Sequence, residues 1–298
     1  MVSDYATATC DSGDTFDPFA GRTTVDSGKL VRVGDVTLWC HDTGGEGEVI
    51  VLLGGFTAGH FVFDFVRQHL PGYRLITWEP RGLGRSDHPD PQKTDYSVDI
   101  WVADLRGLLS ELGVDKAHVW ADGFGGFIAA GLAAAHPEVV ASIVTGTEVW
   151  AGFEDRSRNW NVYSAIVGNL GVSGRGARLL ANWMDVETVP WFVSWESRNI
   201  AEVLHPETVG ATVGYCLLKA DVRNDLPRVK APTLVILGGS GAGDDGNVAL
   251  SYMRETMESL AVVTIPEADA SYGVVTHPEQ FAAAARDFFQ THRTPLDA

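Results

Sequence analysis

Short apolar runs return along this chain at intervals, each followed by a glycine-rich loop or a helix-spaced stretch. That alternation restricts the fold more than any other feature of the sequence. V-I-V-L-L (49–53) is a continuous apolar run, as a strand buried on both faces requires. Y-R-L-I-T-W (73–78), A-H-V-W (117–120), V-V-A-S-I-V-T (139–145), P-T-L-V-I-L-G-G (232–239) and A-V-V-T-I-P (261–266) read as further strands. Between them, residues 98–112, 125–136 and 278–289 carry helical spacing, and Gly113 and Pro137 supply the stops for the first two. Before this series, V-R-V-G-D-V-T-L-W-C-H-D (31–42) alternates like a hairpin with its turn at Gly34-Asp35. The expected fold class is α/β, a mostly parallel doubly wound sheet.

The pattern lapses over residues 151–225, which hold helical stretches, no convincing strand, and four of the nine tryptophans, Trp160, Trp183, Trp191 and Trp195. A helical insertion is therefore expected there, dividing a core of residues 31–150 and 226–298. Residues 1–30, rich in Asp, Ser, Thr and Gly, read as an amino-terminal arm.

A formal net charge of -17 without any Lys/Arg cluster argues against nucleic acid as a partner, and an anionic membrane surface would repel such a chain. Three cysteines, Cys10, Cys40 and Cys216, have no spacing that suggests zinc or a disulfide framework and read as buried small residues. The first residues have neither the basic stretch nor the apolar core of a secretion signal, and a cytoplasmic protein is expected. G-G-S-G-A-G-D-D-G (238–246) lacks the spacing of a dinucleotide site, so neither a nucleotide nor a metal cofactor is expected.

Several motifs resemble those of the α/β-hydrolase family, over residues 31–292. G-G-F (54–56) matches the family's His-Gly loop, with Gly54 in place of the His. E-P-R-G-L-G-R-S-D (79–87) matches its Asp-x-Arg-Gly-x-Gly-x-Ser loop, with Glu79 for the Asp. A-D-G-F-G-G (121–126), followed by a helix and H-P-E (136–138), matches the nucleophile elbow. The resemblance makes the insertion a lid. It implies an elbow of the form small-x-nucleophile-x-small, with Ala121 and Gly125 as the small residues. The nucleophile position is then Gly123, which tolerates strained backbone angles and has no side chain to attack with. The acid position falls near Gly241, with Asp244 and Asp245 slightly beyond it, and the histidine position falls near Ser271.

Other groups remain as candidates. Asp122 is a turn cap, a base facing the pocket, or the nucleophile of a dehalogenase-like register. In that register Glu148 would be the acid, and Trp120 and Phe124 would occupy the small positions. The resemblance implies an oxyanion hole formed by the backbone N–H groups of Phe124 and of Phe56 or Thr57. His60, beside the glycine loop, is placed at the pocket mouth, and Ser271 and Tyr272 in the histidine loop. Trp150, Trp183, Trp191 and Trp195 are candidate pocket walls for a hydrophobic small molecule. An oxyanion hole without a triad predicts a cofactor-independent, non-hydrolytic enzyme: a lyase, decarboxylase, isomerase or cyclase acting on a carbonyl compound, possible in secondary metabolism. The alternatives are a non-catalytic binding protein and a hydrolase using Asp122.

Overall fold

The computed structural model describes residues 8–9, 15–16, 27–56, 59–146, 199, 202–205, 207–239, 248–268 and 273–294. Two short strands, β1 (Ala8–Thr9) and β2 (Thr15–Phe16), pair antiparallel within the amino-terminal arm. The main sheet has eight strands in the order β10-β9-β8-β7-β5-β6-β4-β3. They are β3 (Lys29–Val33), β4 (Val36–Asp42), β5 (Val49–Leu53), β6 (Arg74–Trp78), β7 (Ala117–Ala121), β8 (Val140–Thr145), β9 (Thr233–Gly238) and β10 (Leu260–Ile265). The β3–β4 hairpin turns at Gly34-Asp35, as predicted, and β4 runs antiparallel to β6. Every pairing from β6 to β10 is parallel.

The helices are α1 (Val98–Glu111), α2 (Gly125–Ala135), α3 (Val209–Leu218), α4 (Val248–Thr256), α5 (Gly273–Thr276) and α6 (Pro278–Thr291). Side chains alternate across a strand, so β5 feeds two cores at once. Val51 and Leu53 face the cluster with Trp101, Leu105, Phe127 and Ile128 of α1 and α2. Ile50 and Leu52 face the other, with Phe61, Phe63, Trp120 and, from α6, Phe281 and Phe289. Each such side chain, fully buried, contributes about 1.5–3 kcal/mol. Helix α1 ends where Gly113 takes φ 67, and the amides of Gly113 and Val114 fold back onto Ser110 and Leu109. Cys40 and Cys216 are buried and free, as their reading required, and burial pushes the Cys40 thiol up to about 11.

The sequence reading missed α4 and α5. It placed α3 inside the insertion, where the chain returns to the core. There Leu204 bridges to Leu83, the Gly84 amide donates to the Val203 carbonyl, and the Thr208 hydroxyl donates to the Gly82 carbonyl.

Candidate functional site

Strand β7 runs out at Ala121 and α2 starts at Gly125, so three residues make the whole turn. The Asp122 amide donates to the Leu53 carbonyl, which ties the turn to the end of the neighbouring strand. The Gly125 and Gly126 amides then donate to the carbonyls of Asp122 and Gly123. The left-handed backbone falls on Gly123, at φ 51, and among the described residues positive φ occurs only at glycines. Asp122 therefore stands one residue before the strained seat. Trp120 and Phe124 pack as large buried groups, Trp120 edge-on to Phe63 at 5.9 Å and Phe124 edge-on to Trp101 at 4.7 Å. A β-carbon built on Gly125 would overlap the Leu53 carbonyl, which is why that position must stay small.

The glycine loop faces the elbow across a narrow gap. Among the described residues a β-carbon on Gly123 would meet only Gly55 Cα, at 3.5 Å, and one on Gly55 would lie 3.6 Å from Phe124 N and 3.7 Å from Asp122 O. Both values are ordinary contact distances. Phe124 opens α2, so its amide has no acceptor within the helix. The loop is pinched shut by the Gly59 amide donating to the Gly55 carbonyl. A side chain on Gly54 would overlap the Gly59 carbonyl. The family's usual His at this position is thus excluded by this loop's own backbone.

His60 was expected at the pocket mouth. Instead it is buried, its side chain fully enclosed between Trp39 and Phe61, with Nδ1 3.2 Å from Glu79 Oε1. Nε2 lies 3.4 Å from an Arg85 guanidinium nitrogen, so a proton on Nδ1 would face the Glu79 carboxylate and leave Nε2 to accept from Arg85, although the Nδ1 contact is not aligned as a hydrogen bond. Glu79 also accepts the Arg85 backbone amide at 2.6 Å and the guanidinium at 3.1 Å. Burial alone raises the Glu79 carboxyl, but His60 and Arg85 hold it below the ordinary carboxylate range. Arg85 completes the cluster by lying 3.5 Å above the Trp39 ring. Sequence reasoning missed this pairing. Its two signals were Glu79 in place of the shorter Asp, and Gly84, where any β-carbon would overlap the Glu79 carboxylate.

The rest of the 79–87 loop is held from beneath. Arg81 makes a bidentate pair with Asp104 of α1 at 2.6 and 2.7 Å, and the Ser86 hydroxyl donates to the Glu79 carbonyl. Thr57, Glu148, Trp150, Trp183, Trp191, Trp195, Gly241, Asp244, Asp245, Ser271 and Tyr272 lie outside the described residues. Among the described residues no group of three or more His, Cys, Asp or Glu is placed to hold a metal ion, and no helix is long and apolar enough to cross a membrane.

A parallel sheet with this strand order, a glycine elbow between β7 and α2, and a glycine loop against it define the α/β-hydrolase fold. A family profile described as alpha/beta hydrolase fold matches residues 48–161. A Caulobacter protein provisionally named a carbamate hydrolase, RutD, is 27% identical over 79% of this chain and 87% of its own. A Shewanella oneidensis protein, named a cis-3-alkyl-4-alkyloxetan-2-one decarboxylase, is 26% identical over 85% of this chain and 87% of its own. A thermophilic esterase from Thermogutta terrifontis superposes with a TM-score of 0.72 at 21% identity, covering 90% of this chain and 100% of that one.

These likenesses correct the functional expectation. A lyase, decarboxylase, isomerase or cyclase was predicted from the missing nucleophile, yet hydrolase and esterase names predominate among the relatives, with one decarboxylase beside them. The inference failed because it treated loss of a side-chain nucleophile as loss of hydrolysis. Water can supply the same oxygen.

Proposed function

We propose that this chain is a hydrolase of a small ester or carbamate in which water, rather than a side chain, attacks the carbonyl. The observation that carries the reading is the elbow itself. It keeps the strained turn at Gly123, the Phe124 amide and the carboxylate of half-buried Asp122, and dispenses only with a nucleophilic side chain. With the acid position near Gly241 and the histidine position near Ser271 taken as altered too, the proposed reaction does not draw on a Ser-His-Asp relay.

In this reading the substrate carbonyl accepts hydrogen bonds from the Phe124 and Phe56 amides, which stabilise the oxyanion. Asp122 takes the proton of the attacking water and returns it to the leaving oxygen or nitrogen. In this reading the expected insertion, without α3, serves as the lid, and Trp150, Trp183, Trp191 and Trp195, which lie outside the described residues, are the side chains proposed to meet a hydrophobic substrate. The test is turnover of small esters and carbamates in ¹⁸O-enriched water, on the wild type and on Asp122→Asn. Label in the released acid alone supports water attack. Label in the Asp122 peptide would make Asp122 the nucleophile instead. Turnover that Asp122→Asn leaves intact would remove Asp122 from the mechanism.

A second reading is favoured by Gly123 specifically. A glycine at the attacking position suits a protein that binds the same ligands without converting them. Saturable binding of an ester or carbamate with no product above the uncatalysed rate would select it.

A further inference from the structure

Gly59 closes the glycine loop, and it is held from outside that loop. Its amide donates to the Gly55 carbonyl at 3.0 Å, and its own carbonyl fills the direction a side chain on Gly54 would take. In the direction a side chain on Gly59 would take, the three nearest atoms among the described residues all belong to Val203. Cγ2 lies 2.7 Å from a β-carbon built there, Cγ1 3.5 Å and Cβ 3.7 Å. Gly59 has φ 54, which glycine adopts cheaply, and Val203 occupies the space that any other residue would need for its β-carbon.

Val203 belongs to the segment that returns from the insertion to the core, and it is buried, at 1% exposure. Its backbone is fixed as well. Its carbonyl accepts the Gly84 amide at 2.8 Å, Leu204 bridges to Leu83, and the His205 ring lies on His88 with centroids 3.7 Å apart. Gly84 lies against the Glu79 carboxylate, Glu79 faces His60, and His60 is bonded to Gly59. The contacts close a ring: Gly59, Val203, Gly84, Glu79, His60 and back to Gly59. A β-branched side chain is stiff at its first torsion, so Val203 passes its position on rather than yielding.

We propose that Val203 is a positioning residue for the oxyanion site: its side chain bears on Gly59, holds the loop shut at Gly55, and so sets the Phe56 amide. The inference rests on the hydrolase reading above. Phe56 directly follows Gly55, whose carbonyl is the one that Gly59 grips. A donor to an oxyanion works at about 2.7–3.1 Å from the place the charge develops. A small displacement of this loop therefore weakens the transition state and leaves ground-state binding almost unchanged. Val203 acts through Gly59 and touches no reacting atom.

The experiment uses benzyl acetate as substrate and two binding probes. The benzyl methylphosphonate monoanion is tetrahedral and charged, like the oxyanion intermediate, and N-benzylacetamide is planar and neutral. Dissociation constants are read by titration calorimetry, and they do not depend on the fraction of molecules that is folded. Val203→Ala is expected to weaken phosphonate binding by about tenfold or more and to lower kcat to match, with KM and amide binding within about twofold of wild type. Val203→Thr keeps both branches at the γ position and is expected to restore phosphonate binding. Val102→Ala makes the same deletion on α1, in the other core, and is expected to change neither probe. Unchanged phosphonate affinity in Val203→Ala overturns the brace and leaves the hydrolase reading standing. So does equal weakening of both probes, the same loss in Val102→Ala, or a Val203→Thr protein no better than Val203→Ala. A wild type that neither cleaves benzyl acetate nor prefers the phosphonate to the amide overturns the hydrolase reading and the brace together.

Discussion

Glu79 carries the prediction that can be worked most fully. Replacing it by Gln keeps the shape and removes the charge. The Arg85 amide bond at 2.6 Å falls from charge-assisted to neutral, a loss of about 1–1.5 kcal/mol. The new amide then presents N–H to either the His60 Nδ1 side or the Arg85 guanidinium, leaving a buried donor against a donor, for about 1–2 kcal/mol more. Arg85 is 42% exposed, so its ion pair adds no more than about 1 kcal/mol. The sum is about 2–4 kcal/mol, which in a chain of this length is a Tm lower by about 4–8 °C. The pH dependence follows from the direction of the shift. The Glu79 carboxyl is held below its ordinary value of 4.5 in the folded chain, so its stabilisation is complete above that value and is lost as pH falls through the lower folded one. The gap between wild type and Glu79→Gln is therefore wide at about pH 7 and narrows as the pH falls below 4.5. Differential scanning calorimetry of both proteins across that range is the assay. A gap under about 1 °C at neutral pH, or one that does not close in acid, would refute the account of this cluster.

Gly54→Ala and Gly55→Ala, one residue apart, should behave oppositely in urea unfolding. The first overlaps the Gly59 carbonyl and costs more than about 2 kcal/mol, and the second meets nothing closer than 3.6 Å among the described residues and costs less than about 1 kcal/mol. Asp122→Asn should lower kcat for ester cleavage by about a hundredfold or more while the Tm holds, which activity and calorimetry on one preparation check. Burial holds His118 below its ordinary value of 6.5 against the pull of Glu48, with Ser142 2.8 Å from Nδ1. A depressed histidine stabilises the fold above pH 6.5 and ceases to as pH falls below it, so His118→Asn should flatten the stability curve on the acid side, read by urea midpoints.

How much of this was legible depends on whether the deciding contact is local. The strands and the helices α1, α2 and α6 are written in period and punctuation, and so is the hairpin turn at Gly34-Asp35. The elbow was legible because its rule is short-range: Gly123 must bear the strain and Gly125 must clear the Leu53 carbonyl. Helix α5 was not, since four residues are too few to show a period. His60 was misplaced for a different reason. Its partner lies on another strand end, and nothing in G-G-F-T-A-G-H says that the ring turns inward to meet Glu79.

The same distinction separates the two parts of the functional question. What Gly123 cannot do is a property of one residue and could be read directly. What the site does instead depends on which groups converge on the space that Gly123 leaves, and that convergence is made by β5 and β7 lying side by side, with Leu53 opposite Ala121. Their pairing brings Gly55 against the elbow, where a β-carbon on Gly123 would lie 3.5 Å from Gly55 Cα. In the proposed hydrolase reading Gly55, the second glycine of the G-G-F loop, is therefore the residue whose substitution probes the face of the site opposite Gly123 most directly.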